Sequence, residues 1–404
     1  MHRGTEKNKM SSETILILYI SVGQGHRKAA FSIQAALREE DPFLKVICLD
    51  LLEIWPTWAA GIVTGLYRTV VRVAPGIWTS VYDHRRVKER LRRPLQLIRR
   101  IFRKKVELLL DELAPDIVAC TQAIPAILAA DCKRSLKLSY LLVAVPTDFR
   151  VHGYWIDDQV DLYLLPSEES RAQVIEQGVA AERVRVTGIP IHPCFNSSLD
   201  PIGVQKKYGL CADDPIVLLM GGGEGTVLLE RLILALDSRR DRFQIAALAG
   251  RNLRQHACLK CLHSRLSHHF QVFSFIESVD ELMDAGYLIV TKPGGLTTAE
   301  ALAKKLPMVL IDPLPGQEEL NAEFLTRSGA AVLAPDEESA AEIVVDLLRN
   351  NKLRQRMMKS MEKIRKPESA REAARHIIWG IGNREWQLFT IPQFPFSLSP
   401  LQNL

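Results

Sequence analysis

The sequence predicts an α/β protein made of two doubly wound parallel-sheet domains that face each other across a cleft. Three observations carry this. Short apolar, β-branched runs alternate with longer helical patterns almost throughout, as parallel sheets covered on both faces require. The series begins twice, each time with a strand followed at once by a Gly-rich turn. Between the two lies TGIPIHPCFNSSLDP (residues 187–201), whose Pro, Ser and Asn content suits a linker. At 404 residues the chain has room for two such domains. Its 47% hydrophobic and 25% charged residues exclude a disordered, collagenous or coiled-coil chain.

TILILYI (14–20) reads as the first buried strand. The polar stretch before it, residues 1–13, is expected to be a disordered tail and holds no apolar core for a secretory signal. After a Gly turn, a helix is expected to about residue 40. KVICLD (45–50), DIVAC (116–120), SYLLVAV (139–145) and DLYLL (161–165) continue the first sheet. Ser167 ahead of Glu168 and Glu169 reads as a helix cap. PIVLLMGGG (215–223) opens the second sheet, followed by FQIAALAG (243–250), FQVFSF (270–275), GYLIVTKPGG (286–295), PMVLID (307–312) and AAVLAP (330–335). The domains are therefore expected over 14–193 and 194–370, with a helix and a proline-rich tail over 371–404.

No segment reads as a membrane span. Residues 117–130 are uncharged but too short, and Pro392, Pro395 and Pro400 interrupt the uncharged tail. Seven irregularly spaced cysteines do not form a disulfide framework, so a reducing compartment is expected. Cys258 and Cys261, flanked by His256 and His263, have no standard zinc spacing and read as part of a helix.

Charge is unevenly spread. Between Arg85 and Lys105 there are eleven Lys or Arg residues against one acid, Glu89, in a protein of net charge +5. Leu91, Leu95, Ile98, Ile101 and Phe102 fall largely at helical spacing among them, and Trp55, Trp58, Tyr67, Trp78 and Tyr82 lie upstream. A basic amphipathic helix beside aromatic anchors suits a surface that lies on anionic lipid, with Arg92, Arg93, Arg99 and Arg100 as contacts. A plain solvated face is the alternative, and no nucleic-acid-binding signature accompanies the run. The expected location is the cytoplasm, peripheral on the inner face of the cell membrane.

Three Gly-rich turns follow strands. In SVGQGHRKAA (21–30), Gly23 and Gly25 permit a tight turn into a helix whose first N–H groups face the cleft. The third position of a dinucleotide fingerprint is Lys28 and no P-loop pattern is present. His26 lies at the tip, where an imidazole can act as a base or bind an anion. MGGGEGT (220–226) and TKPGGLTTAEAL (291–302) repeat the arrangement. In the last, Thr297 and Thr298 are placed to cap the helix carrying Glu300, and its backbone N–H groups suit a diphosphate.

TKPGGLTTAEALAKKLPMVLIDPLPGQEELNAEFL resembles the donor-binding signature of the diacylglycerol glycosyltransferase family. That family includes monogalactosyldiacylglycerol synthases and processive diacylglycerol glucosyltransferases, and is related to the peptidoglycan enzyme that adds N-acetylglucosamine to a lipid-linked acceptor. GQGHRKAA, PTDFRVHGYWIDDQVDLYLLPSEES, TGIPI and AGRN resemble the family in the same order, so the match covers about residues 14–380. The first loop departs from it, with Gln24 where the family usually carries Gly.

The resemblance implies a GT-B fold, a UDP-hexose bound by the C-terminal domain and a lipid acceptor met by the N-terminal one. Carried over by residue, Gly294 and Gly295 approach the diphosphate, Thr297 opens the same helix, and Glu300 accepts the ribose hydroxyls. Gln317 and Glu318 bind hexose hydroxyls, and Asn321 supports their loop. Phe275 and Ile276 line the uracil pocket, with Gly222, Gly223 and Arg251 on the phosphate side. Inverting transfer needs a base for the acceptor hydroxyl. His26 is the leading candidate, Asp148 the alternative, and His152 with Trp155 the acceptor side. No Asp-x-Asp motif follows a strand in the right place, so neither a metal nor another cofactor is expected. The implied activity is transfer of glucose or galactose from a UDP-sugar to diacylglycerol. Another lipid or polyprenyl-linked acceptor, or a non-catalytic nucleotide-sugar sensor, remains open.

Overall fold

A computed structural model describes residues 13–21, 23–55, 102–222 and 229–382. Arg92, Arg93, Arg99, Arg100, Gly223 and the proline-rich tail lie outside the described residues.

The strands form two six-stranded sheets. The first runs β2-β1-β3-β4-β5-β6, from β1 (Thr14–Tyr19), β2 (Lys45–Asp50), β3 (Ile117–Cys120), β4 (Leu141–Ala144), β5 (Leu162–Leu165) and β6 (Val184–Val186). The second runs β12-β11-β10-β7-β8-β9, from β7 (Ile216–Met220), β8 (Gln244–Leu248), β9 (Phe270–Phe273), β10 (Leu288–Thr291), β11 (Met308–Leu310) and β12 (Ala331–Leu333). Neighbouring strands pair in parallel throughout both sheets.

The apolar runs form strands because both faces are covered. In β1, Leu16 and Leu18 join one buried cluster with Val118 and Cys120, whereas Ile15, Ile17 and Tyr19 join another with Ile117 and Ala119. Alternate side chains thus leave the sheet in opposite directions and both directions are core. The sequence reading omitted β6, an edge strand of three residues with Arg185 at its centre, too short and too polar to register as an apolar run.

Strand order reverses between β1 and β3 in the first sheet and between β7 and β10 in the second. At such switch points the loops beyond the strand ends diverge to either side and open a crevice. The two crevices face one another. Gly25, after β1, approaches Leu296, after β10, with a built Cβ 3.9 Å from that side chain.

Among the described residues the chain crosses between domains twice, at one place. Gly188, at φ +91, packs so closely on Lys366 and Ser369 that a Cβ there would overlap Lys366. The Ile191 N–H donates to Ser369 Oγ at 3.2 Å. From this joint the helix Ser369–Gly382 returns to the first domain. Ala370, Ala373, Ala374 and Ile377, at spacings of three and four, enter the core beside the helix Gly25–Glu40. Arg371 and Arg375 bond Glu39 at 2.9 Å and Glu40 at 2.8 Å. The C-terminal helix thus crosses back to the first domain, beginning at Ser369, two residues before the expected 371.

Two aromatic assignments change. Trp55 is 4% exposed and packs on Phe102, ring centroids 4.1 Å apart, inside the first core. Trp155 is likewise 4% exposed in that core, which corrects its expected place on the acceptor or membrane side. An aromatic run reports apolar area and not the side of the backbone that buries it. Cys258 and Cys261 sit exposed on the helix Leu253–Leu262, and Ser167 Oγ caps its helix by accepting from the Ser170 N–H at 3.1 Å. Among the described residues no helix is long and apolar enough to cross a membrane.

Candidate active site

His26 lies in the first turn of the helix Gly25–Glu40, directly beyond β1. Its Nδ1 is 2.9 Å from the Thr121 carbonyl oxygen and 2.9 Å from Thr147 Oγ1. A carbonyl oxygen only accepts, so Nδ1 carries the proton and Nε2 keeps its lone pair. Thr121 closes the clamp by donating from Oγ1 to the His26 carbonyl at 3.0 Å. Thr121 follows β3, which pairs with β1, so the switch point itself orients the ring. Burial pushes the His26 pKa below the usual histidine value, opposed by the charge of Asp148. The imidazole is therefore neutral near pH 7.

Asp148 follows β4 and is half-buried. Burial pushes its pKa up, against hydrogen bonding from Asn321 and the charge of His26. His26 and Asp148 thus influence one another, and titrate as a pair.

In the second domain the helix Gly295–Ala303 starts after β10 with Gly294 as N-cap and no side chain bonded to it. Thr298 was expected to cap this end. Its hydroxyl instead donates backward to the Gly294 carbonyl at 2.8 Å, within its own turn. Thr297 sits half-buried beside it. The helix end is thereby free of a side-chain cap, and its N–H groups and dipole suit an anion. A Cβ on Gly295 would overlap the Thr147 carbonyl oxygen, whereas Gly294 has open space.

Glu300, on the same helix, is 3% exposed, and its Oε2 is buried without a hydrogen-bond partner. Burial pushes its pKa up, Lys28 pulls it down, and the charge of Asp280 adds to the rise. Lys28, from the first domain, places Nζ 3.8 Å from Glu300 Oε1. Gln317 and Glu318 open the helix Gln317–Arg327 after β11. Glu318 Oε2 accepts from the Leu314 N–H at 2.8 Å and lies 3.7 Å from Lys292 Nζ. Burial raises the Glu318 pKa and Lys292 opposes it. Asn321, one turn on, has no exposed surface and bonds across to Asp148 and Phe149.

Arg251 stacks on Phe275 with its guanidinium carbon 4.5 Å from the ring centroid. The side chain expected toward phosphate and the ring expected toward the base form one unit, beside Ile276 on the second core. Gly222 follows β7 at φ +83. His152 lies edge-on to Tyr154, centroids 5.7 Å apart. The sequence reading missed Lys28, Thr121, Thr147 and Lys292. Lys292 carried a signal, since a lysine directly after an apolar strand and before Pro-Gly-Gly is 6% exposed here and faces Asp312 and Glu318.

Both domains are similar to known proteins. The monogalactosyldiacylglycerol (MGDG) synthase family profile matches residues 26–191, and the glycosyltransferase family 28 C-terminal domain matches residues 216–377. A processive diacylglycerol beta-glucosyltransferase of Bacillus mycoides (strain KBAB4) is 29% identical, over 88% of this chain and 91% of its own. MurG of Acinetobacter baumannii superposes with a TM-score of 0.62 at 16% identity, over 91% of this chain and 99% of that one. CalG4, the calicheamicin glycosyltransferase, gives 0.63 at 15% identity, over 92% and 99%. These two share the fold, which is GT-B. With an MGDG synthase domain followed by a family 28 C-terminal domain on that fold, the chain is a glycosyltransferase and belongs to the diacylglycerol glycosyltransferase family.

Proposed function

We propose that the protein transfers a hexose from a UDP-sugar to the hydroxyl of diacylglycerol at a membrane surface, with inversion at the anomeric carbon. The observation that carries this is the clamped His26. Thr121 holds the Nδ1 proton, so Nε2 is an unprotonated base in the first domain, opposite the uncapped Gly295 helix of the second.

In this reading the helix N-terminus receives the diphosphate and Glu300 receives the ribose diol with its unpartnered oxygen. Gln317 and Glu318 hold the hexose, and the Arg251–Phe275 stack borders the uracil. The acceptor oxygen bonds to the anomeric carbon as its proton passes to His26 Nε2. The bond from that carbon to the diphosphate oxygen breaks and UDP leaves with the electron pair. Charge on the leaving group is met by backbone dipoles and lysine or arginine side chains, and the step needs no metal. Inversion follows from one displacement with one base.

The membrane part rests on the basic segment. Reversing the charges of Arg92, Arg93, Arg99 and Arg100 together is expected to abolish binding to anionic liposomes and to lower lipid glycosylation, while unchanged binding contradicts it. The reaction is tested by UDP release on anionic liposomes with UDP-glucose, UDP-galactose and UDP-N-acetylglucosamine offered in parallel. Release that requires diacylglycerol and yields a glycolipid is the expected result. Release without diacylglycerol, or none with any donor, contradicts the proposal.

A further inference from the structure

Asn321 joins the two halves of the site through one fully buried side chain. Its Oδ1 accepts the Phe149 N–H at 2.9 Å, and its Nδ2 donates to Asp148 Oδ1 at 2.9 Å and to the Pro293 carbonyl at 3.1 Å. Both amide protons and the carbonyl are used, so the side chain has one orientation. Pro293 precedes the Gly294–Gly295 turn of its own domain, whereas Asp148 and Phe149 belong to the other. One turn further along the same helix, Phe324 stacks on Phe149, centroids 4.6 Å apart and planes 15° from parallel. One helix thus grips one dipeptide twice, once by packing and once by hydrogen bonds.

Packing alone would hold the domains together. The hydrogen bonds do something more specific, because one ends on the carboxylate whose charge acts on His26. The helix that carries this amide also carries Gln317 and Glu318 one turn earlier. We propose that Asn321 is a positioning residue that, from the opposite domain, fixes Asp148 beside His26. The helix that carries Gln317 and Glu318 then also sets the carboxylate beside the base. This rests on His26 being the base that activates the acceptor.

Among the described residues, these ionisable groups act on the pair. Asp148 faces His26 and the Glu318 carboxylate, and Glu318 is opposed by Lys292. Donation from Asn321 favours ionised Asp148. Without it Asp148 holds its proton to higher pH, and His26 loses the counter-charge that favours imidazolium.

The test uses the full chain with Asn321→Ala, Asn321→Asp and Phe324→Ala. Asn321→Asp keeps an acceptor for Phe149 but sets a second carboxyl against Asp148. Phe324→Ala removes the stacked ring but keeps the Asn321 hydrogen bonds to Asp148 and Phe149. Both Asn321 variants are expected to lower kcat about 10²-fold with the donor KM nearly unchanged, as misplacement of a reacting group does. In Asn321→Ala the acid limb of kcat against pH should move down, and the His26 imidazole, followed by NMR, should titrate at lower pH than in the parent; the carboxyl added in Asn321→Asp keeps a negative charge beside the pair and should not reproduce that shift. Phe324→Ala should leave both pH values in place. An unmoved acid limb and unmoved His26 titration in Asn321→Ala, or the same shifts in Phe324→Ala, overturn the proposal. The NMR titration needs no turnover, so it reads the role of Asn321 even where the parent protein fails to glycosylate diacylglycerol.

Discussion

Lys28 of the first domain places its ammonium 3.8 Å from the Glu300 carboxylate of the second, across the cleft. Glu300 is buried and feels the charge of Asp280, so without Lys28 it is a carboxylate without a counter-ion. The contact is long and Lys28 is 35% exposed, so its loss should cost only about 1 kcal/mol of stability.

Replacing Glu300 separates stability from binding. A carboxyl pKa raised on folding opposes stability most at high pH, and that penalty fades as pH falls through the raised value. Glu300→Gln removes the charge, so its melting temperature at pH 8 should equal or exceed the parent's. Donor affinity should fall about 10- to 100-fold with the lost charge-assisted hydrogen bonds. Calorimetric titration with UDP, alongside thermal denaturation, measures both.

His26 should govern rate and its pH dependence. His26→Ala should lower kcat by about 10²- to 10⁴-fold while leaving UDP binding intact. Since burial lowers the His26 pKa, the base remains unprotonated below the usual histidine value. Activity should persist to lower pH than an exposed histidine would allow, and fall as pH drops through the lowered pKa. A pH–rate profile of parent and variant checks this.

The two adjacent glycines should behave differently. Gly295→Ala puts a methyl where the Thr147 carbonyl oxygen lies and should hold the domains apart. Gly294 has φ −69 and open space, so Gly294→Ala should close normally and weaken only donor binding. Small-angle scattering should show Gly295→Ala more extended than the parent, with kcat lost, and Gly294→Ala unchanged in shape.

The returning helix should stabilise the first domain although it follows the second in sequence. Ile377 is fully buried in the first core, and Ile377→Ala should cost about 2–5 kcal/mol. Proteolysis under native conditions should then cut first in the domain containing β1 to β6.

Local pattern was legible in the sequence. The apolar runs TILILYI and PIVLLM are strands because every side chain of β1 and β7 is buried, and the Gly turns fall at strand ends. The helix bearing Cys258 and Cys261 needed no more than its periodicity. What depended on a third dimension was not legible. Lys28 and Glu300, or Asp148 and Asn321, are far apart in the chain and meet only when two switch points face each other. Thr298 has a capping residue type but lies four residues past the Gly294 N-cap, where its hydroxyl turns back onto the Gly294 carbonyl. Trp155 shows the same limit, since aromatic composition fits a buried ring and a membrane anchor equally.

The most direct test of a single displacement driven by His26 is the stereochemistry of the product. The lipid glycoside made from an α-linked UDP-hexose and diacylglycerol would be isolated before any hydrolysis, and its anomeric proton examined by ¹H NMR. The account predicts a β-glycoside, formed by the parent protein and nearly absent with His26→Ala. An α-glycoside, or a β-glycoside formed equally well without His26, would contradict it.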